Sequence, residues 1–235
     1  MNNSVQLDPL DSPHPIPWSW IVAIQTQASA RELCAVRHYR SSSLISPDGC
    51  YAAYSRISMK VDPVMVRSRV SSVAIVENLK TGQLRTLCPT SPLAENPFDR
   101  EKGAPVSGTI SIAVPISWSH RGDRLLIRVF ESLFCSDIAS DYALVWDRAS
   151  LKSHTVAPTE IHYTHAVLLG WSDRAPDSIL FRAGKIGGDL WSEWRVEVTG
   201  KTSLAKGDRP VVMGEKVNTV WSGPQLGESW GVGHG

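Results

Sequence analysis

Residues 46–55 read SPDGCYAAYS, and this stretch decides how the rest of the chain is interpreted. Pro47 fixes φ at the second position of a tight turn, and Gly49 takes the positive φ that ends it. From Tyr51 onward, small and aromatic residues alternate as they do in a half-buried strand. A related stretch, SWSHRGDRLLIR, returns at 117–128. We therefore expect a turn and a strand that are used more than once.

The serine that ends each opening strand marks this repeat. It occurs as Ser46, Ser119, Ser172 and Ser222, at intervals of 73, 53 and 50 residues. The first interval is longer by about the length of a proline-rich stretch at 89–108. A period of about 40 to 50 residues that carries four strands is typical of β-propeller blades.

Three repeats of four antiparallel strands are predicted, approximately at 41–88, 109–157 and 165–205. Residues 18–40 fit either a helical stripe or two strands, and we favour strands because of the repeats that follow. These strands would pair with 217–222 and close a fourth blade, which removes exposed sheet edges. An open array that needs a partner is the alternative. The predicted fold is all-β, a small propeller-like array of about four blades of four antiparallel strands.

The two ends of the chain differ from this single domain, which we place at 18–222. Residues 1–17 are rich in proline and predict an extended arm that docks on another surface. Residues 223–235 are rich in glycine and predict a flexible tail.

The turn-and-strand pattern resembles the repeat of TolB-like, WD40-related β-propellers. In that family an aromatic or aliphatic residue precedes Ser-Pro-Asp-Gly, an alternating strand follows, and an Asp-x-x-Thr-Gly turn comes later. Residues 45–49 match the first element in full and ENLKTG at 77–82 matches the second loosely, whereas His120 and Arg121 replace Pro-Asp in the second repeat. The resemblance covers roughly 40–205 and implies a propeller. It says little about chemistry.

Such repeats also form the gating propeller of prolyl-oligopeptidase-like serine peptidases, which raises the question of a hydrolase. GWSDR at 170–174 departs from the Gly-x-Ser-x-Gly nucleophile motif because Arg174 replaces the second glycine. We predict no catalytic residue and no cofactor. A hydrolase or lyase with a site in the propeller funnel, built from Asp137, Asp141 and histidines, is the alternative function.

Asp137 and Asp141 are also candidate ligands for a hard cation such as calcium, which prefers carboxylate oxygens. Turn capping by these aspartates is the competing interpretation. His162 and His165 would point to opposite faces of a strand, which argues against a metal held by both.

Composition narrows the class of partner. Lys and Arg number 24 against 23 Asp and Glu, a formal net charge of +1, so no basic field favours nucleic acid.

The apolar runs are far shorter than the ~20 residues that cross a bilayer, so we do not expect a membrane span, although peripheral association stays open. The widely spaced Cys34, Cys50, Cys88 and Cys135 are interpreted as reduced core thiols, which favours a cytoplasmic location.

The predicted function is non-catalytic binding of protein, by an assembly factor, scaffold or accessory subunit of a larger complex. Trp118, Trp171 and Trp221 occupy equivalent repeat positions and are expected to pack between blades. The long loops 56–70 and 89–108 and the remaining tryptophans are expected to contact the partner. The candidate partner-binding residues are Trp18, Trp20, Met59, Lys60, Met65, Arg67, Arg69, Phe98, Arg100, Trp191, Trp194 and Trp230.

Overall fold

The computed structural model describes residues 8–91, 107–188 and 191–225, and it shows an all-β protein with one α-helix. The helix is α1 (Trp18–Arg31), and a 3-10 turn covers Met65–Arg67. The strands are β1 (Ala35–Arg40), β2 (Ser43–Ile45), β3 (Tyr51–Val61), β4 (Arg69–Asn78), β5 (Leu84–Leu87), β6 (Thr109–Trp118), β7 (Arg124–Leu133), β8 (Ala139–Asp147), β9 (Ser153–Val156), β10 (His165–Ser172), β11 (Ser178–Gly184), β12 (Ser192–Glu197), β13 (Thr202–Leu204), β14 (Pro210–Val211), β15 (Glu215–Val217) and β16 (Gly223–Pro224). No helix within these ranges is long and apolar enough to cross a membrane.

Three antiparallel meanders make up most of the protein. The first meander is β2 to β5, the second is β6 to β9 and the third is β10 to β13, each with its strands paired in chain order. One parallel pairing, between Val70 and Ile110, joins the first two meanders into one sheet, and the third belongs to a separate sheet. Over the described residues, neither sheet closes on itself.

The repeated serine makes the same hydrogen bonds in all three meanders. Its hydroxyl donates to an aspartate carboxylate and accepts a backbone N–H. The aspartate belongs to the same turn for Ser46 and Ser119, whereas Asp208 follows Ser172 by 36 residues. The aspartates are Asp48 for Ser46 (2.6 Å), Asp123 for Ser119 (2.6 Å) and Asp208 for Ser172 (2.7 Å), and the N–H donors are Tyr51, Arg124 and Ala175. Ser222 lies outside this pattern, and its neighbour Trp221 is 68% exposed. The fourth repeat marker is therefore wrong, and Trp221 does not pack between the meanders.

The meanders stack face to face through two apolar layers. In the layer between the first and the second, Tyr51, Trp118 and Trp146 have ring centroids 6.0 to 6.2 Å apart. In the layer between the second and the third, Trp171 and Phe181 are buried among aliphatic side chains. Two ion pairs also bridge neighbouring meanders, Arg148 with Asp48 (2.6 Å) and Arg124 with Asp177.

The C-terminal segment, residues 210–217, crosses the ends of the opening strands of all three meanders. It pairs Val211 with Trp171, Met213 with Trp118, and Glu215 with Ile45. Each partner is the aromatic or aliphatic residue directly before a repeated serine. Gly214 has a φ of 106°, and a Cβ there would lie 2.7 Å from the Ile45 carbonyl oxygen. Glycine thus allows the segment to lie this close.

Residues 18–31 form α1, so the prediction of strand there is wrong. Ile21, Gln25 and Ala28 are buried at helical spacing on one face, and Pro17 precedes the first turn, where proline is well tolerated. The polar Gln25 interrupts the apolar stripe, which is why the pattern was ambiguous. β1 pairs at its end with β16 rather than with 217–222. The predicted strand within 18–40 and its pairing with a C-terminal strand are thus confirmed in part, whereas an array of four blades is not confirmed.

Residues 8–17 have no regular secondary structure, but they are packed into the protein and do not extend away from it. Leu10 and Ile16 join a core cluster that includes α1 and strands of all three meanders. The Asp8 carboxylate accepts the N–H of Leu10 at 3.0 Å and of Ile16 at 3.1 Å. This N-terminal segment, residues 8–17, therefore docks on its own chain.

Two further expectations are corrected. β3 continues to Val61 and β4 begins at Arg69, so the loop predicted at 56–70 is mostly strand. The four cysteines are free thiols, but Cys34 and Cys135 are exposed and the other two are half-buried, so none is a core residue. Residues 92–106 of the other predicted loop and 226–235 of the predicted tail lie outside the described residues.

Candidate functional site

A groove of about 840 Å³ opens at the end of the meanders opposite to the C-terminal segment. His165, the first residue of β10, lines the groove, whereas Trp171 near the other end of that strand pairs with Val211. The walls are α1 and Met65 on one side, and the stretch 132–137 with Ile186 and Trp191 on the other. The volume lies within the ~300–1,000 Å³ range of ligand-binding pockets.

Large apolar side chains are exposed around this groove. Among the residues that line it, Ile186 is 52% exposed, Val22 47%, Met65 41% and Trp191 38%. The half-buried Trp18 adds a second indole. Three more exposed apolar residues are sequence neighbours of the lining, namely Val64, Val66 and Ile138. An apolar surface grouped at one concavity is typical of an interaction site.

The wall formed by α1 is fixed to the short connection before β4. Gln25 Nε2 donates to the Asp62 carbonyl at 2.8 Å, and Ser68 Oγ donates to Gln25 Oε1 at 2.7 Å. Ser29 Oγ donates to the Pro63 carbonyl at 2.9 Å. Because both polar atoms of the buried Gln25 amide are satisfied, the helix and the 3-10 turn that carries Met65 form one rigid unit.

The opposite wall is organised by His165. Its Nε2 donates to the Asp137 carbonyl at 2.8 Å, and its Nδ1 accepts from Thr164 Oγ1 at 2.8 Å. The same threonine oxygen accepts the N–H of Ile186 at 2.9 Å, and the imidazole lies 6.3 Å from the Trp191 ring. His165 is thus a positioning residue that ties two loops together, because both of its nitrogens are engaged within the chain.

Beside the groove, a buried ionic network holds the N-terminal segment. Arg128 Nη1 donates to Asp8 Oδ2 at 2.7 Å and to the His14 carbonyl at 2.7 Å, and its Nε donates to Asp141 Oδ1 at 2.8 Å. Burial raises the pKa of Asp141 to about 6, although Arg128 and the N–H of Leu168 favour the carboxylate. The charges are satisfied by one another, so the network serves to hold the fold.

His14 anchors the same segment to the third meander. Its Nε2 donates to the Leu169 carbonyl at 2.9 Å, so this nitrogen carries a proton. Burial is the main cause that holds the pKa of His14 below its ordinary value. The segment therefore packs best when this histidine is uncharged.

Several residues predicted from the sequence do meet in the groove. Trp18, Met65 and Trp191, predicted as partner-binding residues, line it, and so does Asp137, predicted as a metal candidate. They lie on α1, the 3-10 turn, the stretch before β12 and the turn after β7, and are thus far apart in sequence. The fold brings them together.

Other predicted residues lie elsewhere. Lys60 is exposed on β3 and Arg67 is exposed beside Met65, whereas Met59 and Arg69 are buried, which removes these two from a partner surface. Trp20 packs 5.3 Å from the Tyr39 ring, and the half-buried Trp194 lines a smaller pocket. Phe98, Arg100 and Trp230 lie outside the described residues.

The aspartates proposed for metal or acid–base chemistry do not converge with histidines through their side chains. Asp137 contacts His165 through its backbone carbonyl, and the buried Asp141 is held by Arg128. Within the described ranges, no group of three His, Cys, Asp or Glu side chains is placed to hold a metal ion. The alternative function therefore gains no support from these residues.

Sequence reasoning missed Val22 and Ile186, which are the most exposed apolar residues of the groove. Val22 could have been found from its position on the polar face of α1, had 18–31 been assigned as helix. Ile186 lies in the turn after β11, between Lys185 and glycines, and such a context usually carries a polar residue. The apolar side chain of Ile186 in such a turn was the feature that could have identified it.

No family model matches the chain, and no curated protein matches it at significant similarity.

Proposed function

We propose that this protein is a non-catalytic protein-binding module, an assembly factor, scaffold or accessory subunit of a larger complex, and that the groove receives its partner. The observation that carries the proposal is the joint exposure of Val22, Met65, Ile186 and Trp191 around one concavity. Single exposed apolar residues are normal, but their grouping in a groove is typical of interfaces. Met and Trp are also residues that interfaces favour.

The three meanders would be blades of a small propeller-like array with the plan of the TolB-like repeat. The shared serine turn and the face-to-face stacking of the meanders support this interpretation. In this view the two ends of the chain take the place of a further blade. The free thiols of all four cysteines favour a reducing, cytoplasmic setting.

The test is to recover a tagged full-length chain from its native source and to quantify the proteins that co-purify by mass spectrometry. We expect Met65→Asp and Ile186→Asp to lose a defined set of proteins that the wild type retains, because each places a charge in the apolar contact. Leu84→Asp is the matched control, since Leu84 is 57% exposed on β5 and does not line the groove. The proposal fails if the groove variants retain the same proteins, or if the control loses them equally.

A further inference from the structure

The groove carries two carboxylates that the fold does not use. Asp11 and Asp137 line it and are exposed, and neither forms an ion pair within the part of the chain that the structure describes. Asp8, the third lining aspartate, is neutralised by Arg128. Two charges at an apolar groove are therefore left for solvent or for a ligand.

The cationic side chains near the groove lie beside its described lining and are not part of it. Among the residues that line it there is no Lys or Arg. Two arginines lie close by, namely Arg182, between the Asp11 carbonyl and the face of Trp191, and the exposed Arg67, two residues after Met65. Lys185, next to Ile186 in sequence, lines a different pocket. Among the described lining residues, the charges without a counter-charge are therefore the carboxylates of Asp11 and Asp137.

We infer that the groove binds a partner segment that carries bulky apolar side chains flanked by Lys or Arg. This inference rests on the proposed function and names the chemistry of the partner. Apolar side chains would displace water from Met65 and Val22, while a cation beside them would meet Asp11 or Asp137. A guanidinium or ammonium group of the partner could also stack on the indole of Trp18, since Arg182 already lies over Trp191.

The same charges argue against a second copy of the chain as the occupant. A symmetric dimer through this groove would bring the same patch of both copies together. Asp11 and Asp137 of both copies would then share one interface with no Lys or Arg in its described lining, and like charges at an interface are unfavourable. A cationic segment of a different protein avoids this repulsion.

The experiment selects random peptides displayed on phage against the immobilised full-length chain. We expect the enriched sequences to combine large apolar residues with Lys or Arg and to be poor in Asp and Glu. The best peptide is then synthesised with a fluorescent label and titrated by polarisation. Asp11→Asn/Asp137→Asn should weaken its binding about three- to tenfold, as expected for two partly exposed ion pairs, and higher salt should reduce that difference.

The matched control is Asp173→Asn/Glu215→Gln, which removes two exposed carboxylates at the opposite end of the meanders and should leave affinity unchanged. If Met65→Asp abolishes binding but Asp11→Asn/Asp137→Asn does not weaken it, the cationic partner is overturned and the groove stays a binding site. If no enriched peptide depends on Met65, both proposals fail. Acidic enriched sequences, or a dimer in sedimentation that Met65→Asp dissociates, would also overturn the inference.

Discussion

The two ends of the meanders are closed by opposite ends of the chain and by different kinds of interaction. At one end, residues 210–217 pair their backbone with Trp171, Trp118 and Ile45 at every second residue. At the other end, residues 8–11 and α1 border the groove, and side chains such as Arg128 and Gln25 hold them in place. The first closure uses equivalent positions of three repeats, and the second uses residues that occur once.

This difference explains where the groove lies. Backbone pairing at equivalent positions leaves little space between the closing segment and the strands, as the contact of Gly214 with Ile45 shows. Anchoring by individual side chains fixes α1 at a few points and leaves a concavity between them. The irregular closure therefore carries the candidate site.

The largest loss of stability is expected from Arg128→Ala, which removes the side chain that holds the N-terminal segment. It leaves Asp8 and Asp141 buried without their counter-charge, and breaking a buried pair costs about 3–5 kcal/mol of unfolding free energy. Guanidinium chloride unfolding followed by tryptophan fluorescence measures this. Arg121→Ala is the control, because Arg121 is 74% exposed beside Asp123 at the other end, and a change of ~0.5 kcal/mol or less is expected. Equal losses in the two variants would contradict the role of Arg128.

The next effect tests the C-terminal closure through Gly214→Ala. The added methyl group would lie 2.7 Å from the Ile45 carbonyl oxygen and 2.9 Å from the Trp118 ring, at a φ of 106°. We expect a loss of about 2–4 kcal/mol from strain and overpacking together. Gly82→Ala has a φ of 69° and no atom within 4 Å of the new Cβ, so it should lose only about 1 kcal/mol. Similar losses at both glycines would mean that close contact with the opening strands is unimportant.

A smaller effect on stability depends on pH and comes from His14 of the N-terminal segment. Burial lowers the pKa of His14 below its ordinary 6.5, and Lys216 and Arg128 act in the same direction. Below pH 6.5 the unfolded chain therefore binds a proton that the folded chain does not. The contribution of His14 to stability is complete above that pH and decreases as the pH falls, by at most about 1.4 kcal/mol per pH unit.

The variant His14→Gln isolates this contribution. Asp141 acts in the opposite direction. Because its pKa is raised to about 6, the folded state takes up a proton as the pH falls towards 4, and the unfolded chain does not yet bind it. Urea unfolding at a series of pH values should show that His14→Gln loses less stability on acidification than the wild type. Parallel profiles would show that the histidine is not held neutral by the fold.

The smallest effect on stability is expected from Met65→Asp. Met65 is 41% exposed on the 3-10 turn, so the unfolding free energy should change by ~0.5 kcal/mol or less. The same variant is expected to abolish partner binding. A loss of several kcal/mol of unfolding free energy would show that Met65 stabilises the fold and is not part of a binding surface. Thermal unfolding of the wild type and of Met65→Asp, measured side by side, decides this.

The regular part of the molecule was largely predictable from the sequence. Pro47 and Gly49 defined a turn, and the recurrence of Ser46, Ser119 and Ser172 located the three meanders. These signals are local, because turn geometry depends on the residues within the turn. The residues directly before these serines also pair with the backbone of 210–217, and no local sequence pattern indicates this pairing.

The candidate site could be predicted only in part. Trp18, Met65 and Trp191 were identified by residue type, but their meeting in one groove depends on α1, which Gln25 made ambiguous. Met59 has the same chemistry as Met65 and is buried, because β3 is longer than its pattern indicates. Distant partners, such as Asp8 for Arg128, determine what is buried, and no spacing in the sequence reveals them.

The long span of the N-terminal contacts has a consequence for synthesis of the chain on the ribosome. Asp8 and His14 find their partners 120 and 155 residues later, at Arg128 and Leu169. At about 5–20 residues per second, residues 8–17 wait roughly six to thirty seconds for their site to be made. Each meander can form as it emerges, since its pairings are short in sequence. Leu10 and Ile16 stay open to other proteins during this interval, because the core cluster that they join is not yet complete.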